Sequence, residues 1–122
     1  MPEPTSILVV DDDPTIRATV AETLDLEGYA VKTASNGAEA LTVLDSGLPA
    51  LVLLDMRMPV LDGWGFMRSV RERGLPLKVL VMTAAQDARR WAMEIGATGV
   101  LAKPFELDEL LTAVQRLATS RG

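Results

Sequence analysis

Residues 7–14 have the sequence ILVVDDDP, which combines an apolar run, three aspartates and a proline. Four apolar residues make a short run typical of a buried strand, and three adjacent aspartates follow it directly. Asp13 before Pro14 suits the cap and the first position of a helix. The stretch therefore predicts a β-strand that ends at acidic residues and leads into an α-helix.

The same alternation continues along the chain. Further short apolar runs occur at residues 30–33, 51–54, 77–82 and 99–102. Between them, and after the last one, apolar residues recur every three or four positions, as on amphipathic helices. Glycines fall where four of the helices should end, at Gly28, Gly47, Gly74 and Gly96. Strands that alternate with helices predict parallel strands joined by helical crossovers.

Five such units predict an α/β protein with a flavodoxin-like (βα)5 three-layer sandwich and a central parallel sheet of order 2-1-3-4-5. The 122 residues suit one domain, and we expect that domain to span residues 1–122. Strands 1 and 3 become neighbours at the centre of this sheet. Ligands bind there in such folds, at the carboxyl ends of the strands.

Composition excludes several functions. The chain contains no cysteine and no histidine, which removes thiolate chemistry, the commonest general base and the phosphohistidine carrier. Its net charge of −5 disfavours direct binding to nucleic acid or to an anionic membrane. No apolar stretch approaches the roughly 20 residues that span a bilayer, so we expect a cytoplasmic protein.

Polar side chains collect at the predicted carboxyl edge of the sheet. Strand 1 ends at Asp11 and Asp12, strand 3 at Asp55, strand 4 at Thr83 and strand 5 at Lys103. Neighbouring strands are about 4.8 Å apart, so the carboxylates meet, and two charges about 5 Å apart repel by about 3 kcal/mol at a dielectric of 20. A hard divalent cation offsets this repulsion, and without His or Cys ligands Mg2+ is the expected ion.

A metal, a hydroxyl and a lysine together suit a phosphoryl group. Mg2+ and Lys103 can balance charge on the phosphoryl oxygens, and Thr83 can donate a hydrogen bond to one of them. The nucleophile is then a carboxylate. We expect it to be Asp55, which stands alone at the centre of the sheet, with Asp11 and Asp12 as metal ligands.

Four segments in this order resemble the receiver domain of bacterial two-component response regulators. They are ILVVDDDPTIR, LVLLDMRMPVLDGW, VLVMTA and GATGVLAKPF, and the resemblance extends over residues 6–117. It implies that Asp55 is the phosphorylated residue, that Asp12 binds Mg2+ directly and Asp11 through water, and that the backbone carbonyl of Arg57 is a further ligand. It also implies a cis peptide between Lys103 and Pro104.

The resemblance further implies partners and a switch. A sensor histidine kinase or phosphotransfer protein supplies the phosphoryl group, the domain catalyses its own phosphorylation and hydrolyses the product, and a downstream protein or fused output domain responds. Thr83 contacts the phosphoryl oxygens and Lys103 pairs with them. A homodimer through the last two helices is a further expectation.

Some positions modify this expectation. Many receivers have an aromatic residue three positions before the lysine that moves inward on activation, where this chain has Val100. Trp91 on the predicted fourth helix is a candidate contributor to that output face, and Trp64 a candidate fluorescence reporter. Arg57 and Ala85 match positions that tune phosphoryl lifetime across receivers.

Two other functions compete. The pattern Asp11-x-Asp13 also resembles the first motif of phosphatases of the haloacid dehalogenase class, with Asp11 as nucleophile and Asp13 as acid. The sequence lacks the later acidic pair at a strand end and the cap domain that this class has. The other alternative is a receiver-like interaction module that works without phosphorylation, which Val100 favours.

Overall fold

The computed structural model of the protein describes residues 4–88 and 96–119. Five parallel strands form one sheet in the order β2-β1-β3-β4-β5, which confirms the predicted topology. The strands are β1 (Ser6–Val10), β2 (Ala30–Ala34), β3 (Leu51–Asp55), β4 (Val79–Ala84) and β5 (Gly99–Lys103). β3 is buried along its whole length, which explains its uninterrupted apolar sequence before the aspartate.

Four α-helices occur among the described residues. They are α1 (Pro14–Leu26), α2 (Gly37–Leu44), α3 (Gly63–Glu72) and α4 (Leu107–Thr119), and a short 3-10 helix (Ala85–Asp87) follows β4. The helix predicted around Trp91 falls largely on residues 89–95, which lie outside the described residues. Within the described ranges, none of the helices has the length and apolar character needed to cross a membrane.

The helices cover both faces of the sheet. Val20 and Leu24 of α1 and Leu110 and Val114 of α4 belong to one core cluster. Ala40, Leu44, Phe66 and Val70 of α2 and α3 belong to a second cluster on the other face. Burial of these apolar side chains on both faces confirms the three-layer sandwich and is its main source of stability.

Strand ends differ by one or two residues from the sequence prediction. β3 and β5 each extend one residue further, so Asp55 and Lys103 lie within strands. β4 begins later and ends at Ala84, which brings Thr83 inside it. The reason is cross-strand pairing: Asp55 pairs with Met82 and Ala84 with Lys103, and these ladder bonds hold polar residues that sequence periodicity assigns to loops.

The connection between β3 and α3 contains an unusual turn. Val60 has a φ of 70°, which is costly for a β-branched residue. The backbone N–H of Leu61 donates to the carbonyl of Pro59 at 2.8 Å, so the turn is a tight three-residue turn of the strained kind. The Val60 side chain is 83% exposed. The strain is therefore not offset by burial of that side chain.

Candidate functional site: an acidic cluster at the carboxyl edge of the sheet

Three carboxylates meet where β1 and β3 end. Val10 pairs with Leu54 in the parallel ladder, so Asp11 and Asp55 leave neighbouring strands side by side. One oxygen from each of Asp11, Asp12 and Asp55 lies within 4.8 Å of the others. Asp11 and Asp55 are buried, whereas Asp12 is exposed. The structure thus brings together the three residues that the sequence predicts as metal ligands.

Lys103 reaches this cluster from β5, across the intervening strand β4. Its Nζ lies 3.0 Å from Asp11 Oδ2 and 3.6 Å from Asp55 Oδ1. A single ammonium group therefore faces two buried carboxylates. The Lys103 side chain thus reaches past β4 to the cluster, and its nearer partner is Asp11.

Asp11 is held by contacts that involve the start of α1. Its Oδ1 accepts a hydrogen bond from the backbone N–H of Asp13 at 2.9 Å. Its carbonyl accepts one from Arg17 Nη1 at 2.8 Å. Sequence reasoning missed the role of Arg17, because the contact depends on how α1 packs beside the strand. The Asp13 bond orients the Asp11 carboxylate beside its charged neighbours, and the Arg17 bond holds the Asp11 backbone in place.

Burial raises the pKa of Asp55 from 3.8 to about 6. The attraction of Lys103 lowers this pKa, and the nearby charge of Asp11 raises it. The backbone N–H of Arg57 donates to Asp55 Oδ1 at 3.4 Å and lowers it further, whereas the hydrogen bond with Asp12 raises it. The ionised form of Asp55 is therefore energetically unfavourable in this cluster, and a cation among the carboxylate oxygens would stabilise it.

The donor set fits a hard divalent cation. All three candidate ligands are carboxylates, and a chain without His or Cys offers no softer alternative. The backbone of Arg57, proposed as a carbonyl ligand, lies beside Asp55. The Arg57 side chain lies 3.7 Å from Asp87 and is 76% exposed. This cluster is the place where Mg2+ fits.

Thr83 lies at the same pocket as Asp55 and Lys103. Only 4% of its surface is exposed, so its hydroxyl is presented within a sheltered site. The whole pocket has a volume of about 620 Å3 and extends as a groove between α1 and the segment after β5. The groove is lined there mainly by apolar residues, together with two threonines of α1: Ile16, Val20, Phe105, Leu107, Thr15 and Thr19. Sequence periodicity did not predict this groove.

Asp13 has a different role from the other aspartates. Its side chain accepts hydrogen bonds from the backbone N–H groups of Thr15 at 2.8 Å and Ile16 at 3.2 Å. This confirms the predicted cap of α1. The phosphatase alternative needs Asp13 as a free acid beside Asp11, and the capping bonds disfavour that role. The predicted cis peptide between Lys103 and Pro104 is present.

The structure describes only some of the positions predicted to modify the switch. Val100 pairs with Val81 in the sheet and is partly buried. Trp64 lies near Asp12 at a second pocket beside the cluster. Trp91 and the side chain of Ala85 lie outside what the structure describes, so their predicted contributions stay predictions.

Comparison with known proteins identifies the family. The family model described as the response regulator receiver domain matches residues 7–115. Because the match covers most of the chain, the chain belongs to the response regulator receiver domain family. Membership supports a role in two-component signalling.

Individual relatives agree with this assignment. Response regulator MprA of Mycolicibacterium vanbaalenii is 41% identical over an alignment of 116 residues, and the match covers 93% of this chain and 50% of that protein. The chain thus spans about half the length of the curated relatives it matches. Chemotaxis protein CheY4 of Vibrio cholerae has a TM-score of 0.83 and 34% identity, and TrrA of Thermotoga maritima, solved in complex with Mg2+-BeF, has 0.81 and 36%. Each structure covers 93% of this chain and 98% of its own.

Proposed function

We propose that this chain is the phosphoacceptor of a two-component system and that Asp55 receives the phosphoryl group. The observation that carries the proposal is the position of Asp55. It is a 7% exposed carboxylate at the centre of the sheet edge, within reach of two other carboxylates and 3.6 Å from Lys103. Asp55 is also the one of the three aspartates that lines the groove through which a donor can approach.

The reaction is a transfer between two side chains. A carboxylate oxygen of Asp55 attacks the phosphorus of a phosphohistidine on a sensor kinase or phosphotransfer protein. The P–N bond breaks, its electron pair stays on the imidazole nitrogen, and an aspartyl phosphate forms. Hydrolysis of this acyl phosphate, catalysed by the same site, returns Asp55 to its starting state.

Asp11, Asp12, Asp55 and the backbone carbonyl of Arg57 would hold Mg2+. When bound, this ion supplies positive charge that stabilises the phosphoryl oxygens in the transition state. Asp11 keeps its carboxylate oriented through the Asp13 N–H. Asp12 is the exposed member of this set, so its carboxylate would be the ligand most accessible from solvent.

Thr83 and Lys103 act on the transferred group. Lys103 exchanges part of its attraction to Asp55 for an ion pair with the phosphoryl oxygens, and the Thr83 hydroxyl donates a hydrogen bond to one of them. When Thr83 forms this hydrogen bond, the face formed by the predicted fourth helix, β5 and α4 changes conformation. The changed face then binds a partner. Val100 lacks a ring, so the switch proceeds without an aromatic residue at that position.

The surrounding system follows from the family. The chain acts as one receiver domain over residues 1–122, in the cytoplasm, with a sensor histidine kinase upstream and an output protein or fused output domain downstream. MprA, of which the matched segment is half, supports the fused arrangement. A homodimer through the last two helices is the remaining part of this proposal. The proposal includes neither nucleic acid nor a membrane as a direct partner.

Incubation with acetyl phosphate tests the proposal. With Mg2+ present, intact mass spectrometry should show addition of one phosphoryl group, and chelation of Mg2+ should abolish it. Asp55→Asn should prevent the addition, whereas Asp13→Asn, a matched change at the capping aspartate, should allow it. Absence of Mg2+-dependent phosphorylation in the wild-type protein would refute the proposal and favour an interaction module that works unphosphorylated.

A further inference from the structure

The groove beside Asp55 is larger than phosphoryl transfer requires. Its volume of about 620 Å3 lies in the range of small-molecule binding sites, which are usually apolar with a few convergent polar groups. A phosphoryl group on Asp55 would occupy only the inner end, beside Thr83 and Lys103. The outer part is therefore available to another portion of a substrate.

The groove has two chemically different ends. Asp55, Thr83 and Lys103 line the inner end. The remaining walls are mainly apolar: Ile16 of α1 lies on one side, with Thr15 and Thr19 beside it, and Phe105 lies on the other. A ligand that complements both ends has an anionic head and an apolar body.

Leu107 is an exposed apolar residue in the outer part of this groove. It lines the groove and is 42% exposed. Leu107 is thus an apolar side chain that the core does not bury, at the mouth of a pocket whose inner end carries the nucleophile. A bound apolar group would cover it, and that burial is favourable by about 0.8 kcal/mol per CH2 group.

We propose that the groove binds the acyl group of small acyl phosphates, so that donors with an apolar acyl group phosphorylate the chain better than acetyl phosphate does. The proposal rests on the proposed function, because it requires Asp55 to be the phosphoacceptor. It concerns the choice among small acyl phosphate donors and names Phe105 and Leu107 as the residues that determine that choice.

The chemistry balances without a further reactant. A carboxylate oxygen of Asp55 attacks the phosphorus of the acyl phosphate, and the bond between phosphorus and the acyl oxygen breaks. The electron pair leaves with that oxygen, so the products are aspartyl phosphate and a free carboxylate, and no proton is transferred. Charge that develops on the leaving carboxylate is attracted by Lys103 at the inner end, while the acyl body lies against Phe105 and Leu107.

The test compares benzoyl phosphate with acetyl phosphate. Second-order rate constants for Mg2+-dependent phosphorylation are measured by intact mass, and the ratio of the two donors is the readout. We expect benzoyl phosphate to be favoured by about tenfold in the wild-type protein, as a filled apolar pocket allows. Because the donors also differ in intrinsic reactivity, the decisive comparison is the ratio in variants, where that difference cancels.

Leu107→Ala and Phe105→Ala should each reduce the benzoyl-to-acetyl ratio by at least about threefold. Leu48→Ala is the matched control, because Leu48 is 44% exposed and lies away from the groove, at the pocket beside β2. It should leave the ratio unchanged. Leu107 is a surface residue, so its variant folds even if Phe105→Ala does not.

The outcomes separate the two proposals. Phosphorylation of Asp55 by both donors, with the same ratio in Leu107→Ala as in wild type, overturns the acyl subsite and leaves the phosphoacceptor role standing. A ratio that falls equally in Leu48→Ala also overturns it. Failure of both donors to phosphorylate Asp55 overturns both proposals.

Discussion

Replacement of Asp55 by asparagine should stabilise the metal-free protein at neutral pH. The side chain keeps its shape and can still accept the Arg57 N–H, but it no longer places a charge beside Asp11 in a buried site. Lys103 keeps its 3.0 Å contact with Asp11. The variant therefore removes a negative charge that burial penalises.

The size of the effect follows from the pKa of Asp55. Burial raises it from 3.8 to about 6, and each tenfold change in proton affinity is worth about 1.4 kcal/mol. Ionised Asp55 therefore destabilises the folded state by roughly 3 kcal/mol. For a domain of this size that corresponds to an increase in Tm of roughly 10 °C in Asp55→Asn.

The raised pKa of Asp55 also determines how the stability changes with pH. Because the folded pKa lies above the unfolded value, the folded state binds more protons between pH 3.8 and about 6, and wild-type stability falls as pH rises through that window. The gain in Asp55→Asn should thus be small near pH 4, grow up to about pH 6 and stay constant above it.

Urea unfolding in the presence of a chelator, at several pH values, measures this gain. Asp13→Asn is the matched control, since Asn caps a helix about as well as Asp and residue 13 caps α1; its free energy of unfolding should change by less than about 0.5 kcal/mol. A gain in Asp55→Asn that is absent at pH 7.5, or as large at pH 4 as at pH 7.5, would refute the reasoning.

The other predictions concern the residues around the cluster. Lys103→Met leaves two buried carboxylates without their cation, so urea unfolding should show a loss of about 3 kcal/mol or more, and Mg2+ should restore part of it; no loss would contradict the assigned ion pairs. Gly63→Ala places a Cβ 2.8 Å from the Cα of Met56 and should cost more than about 2 kcal/mol of stability in thermal unfolding. Gly74→Ala, in open space at a φ of 67°, should cost only about 1 kcal/mol. Equal losses of stability in the two variants would exclude the clash at Gly63. Val60→Gly relieves the strained turn and should raise stability by about 0.5–1 kcal/mol, and a loss would show that the turn is not strained.

The fold could be predicted because its signals are local. Buried strands are marked by continuous apolar runs, and Asp13 with Pro14 marks the start of α1. The alternation of strands and helices restricts the topology to a few arrangements, and the observed strand order matches the expected one. The gathering of Asp11, Asp12 and Asp55 at one edge followed from the topology, since neighbouring parallel strands end together.

The remaining features depend on three-dimensional packing and have no local signal. The bond from Arg17 to the Asp11 carbonyl requires the orientation of α1, and the 3.0 Å contact of Lys103 with Asp11 requires a side-chain path across β4. The positive φ of Val60 contradicts the preference of valine, so residue type predicts the opposite. The groove near Phe105 arises between two elements far apart in sequence.

Mapping the phosphorylated residue tests whether Asp55 is the phosphoacceptor. The protein is incubated with Mg2+ and acetyl phosphate, the aspartyl phosphate is reduced with borohydride, and the labelled peptide is sequenced by mass spectrometry. We predict a single label on Asp55, lost when Mg2+ is chelated. A label on Asp11 or Asp13, or no label at all under these conditions, would contradict the account.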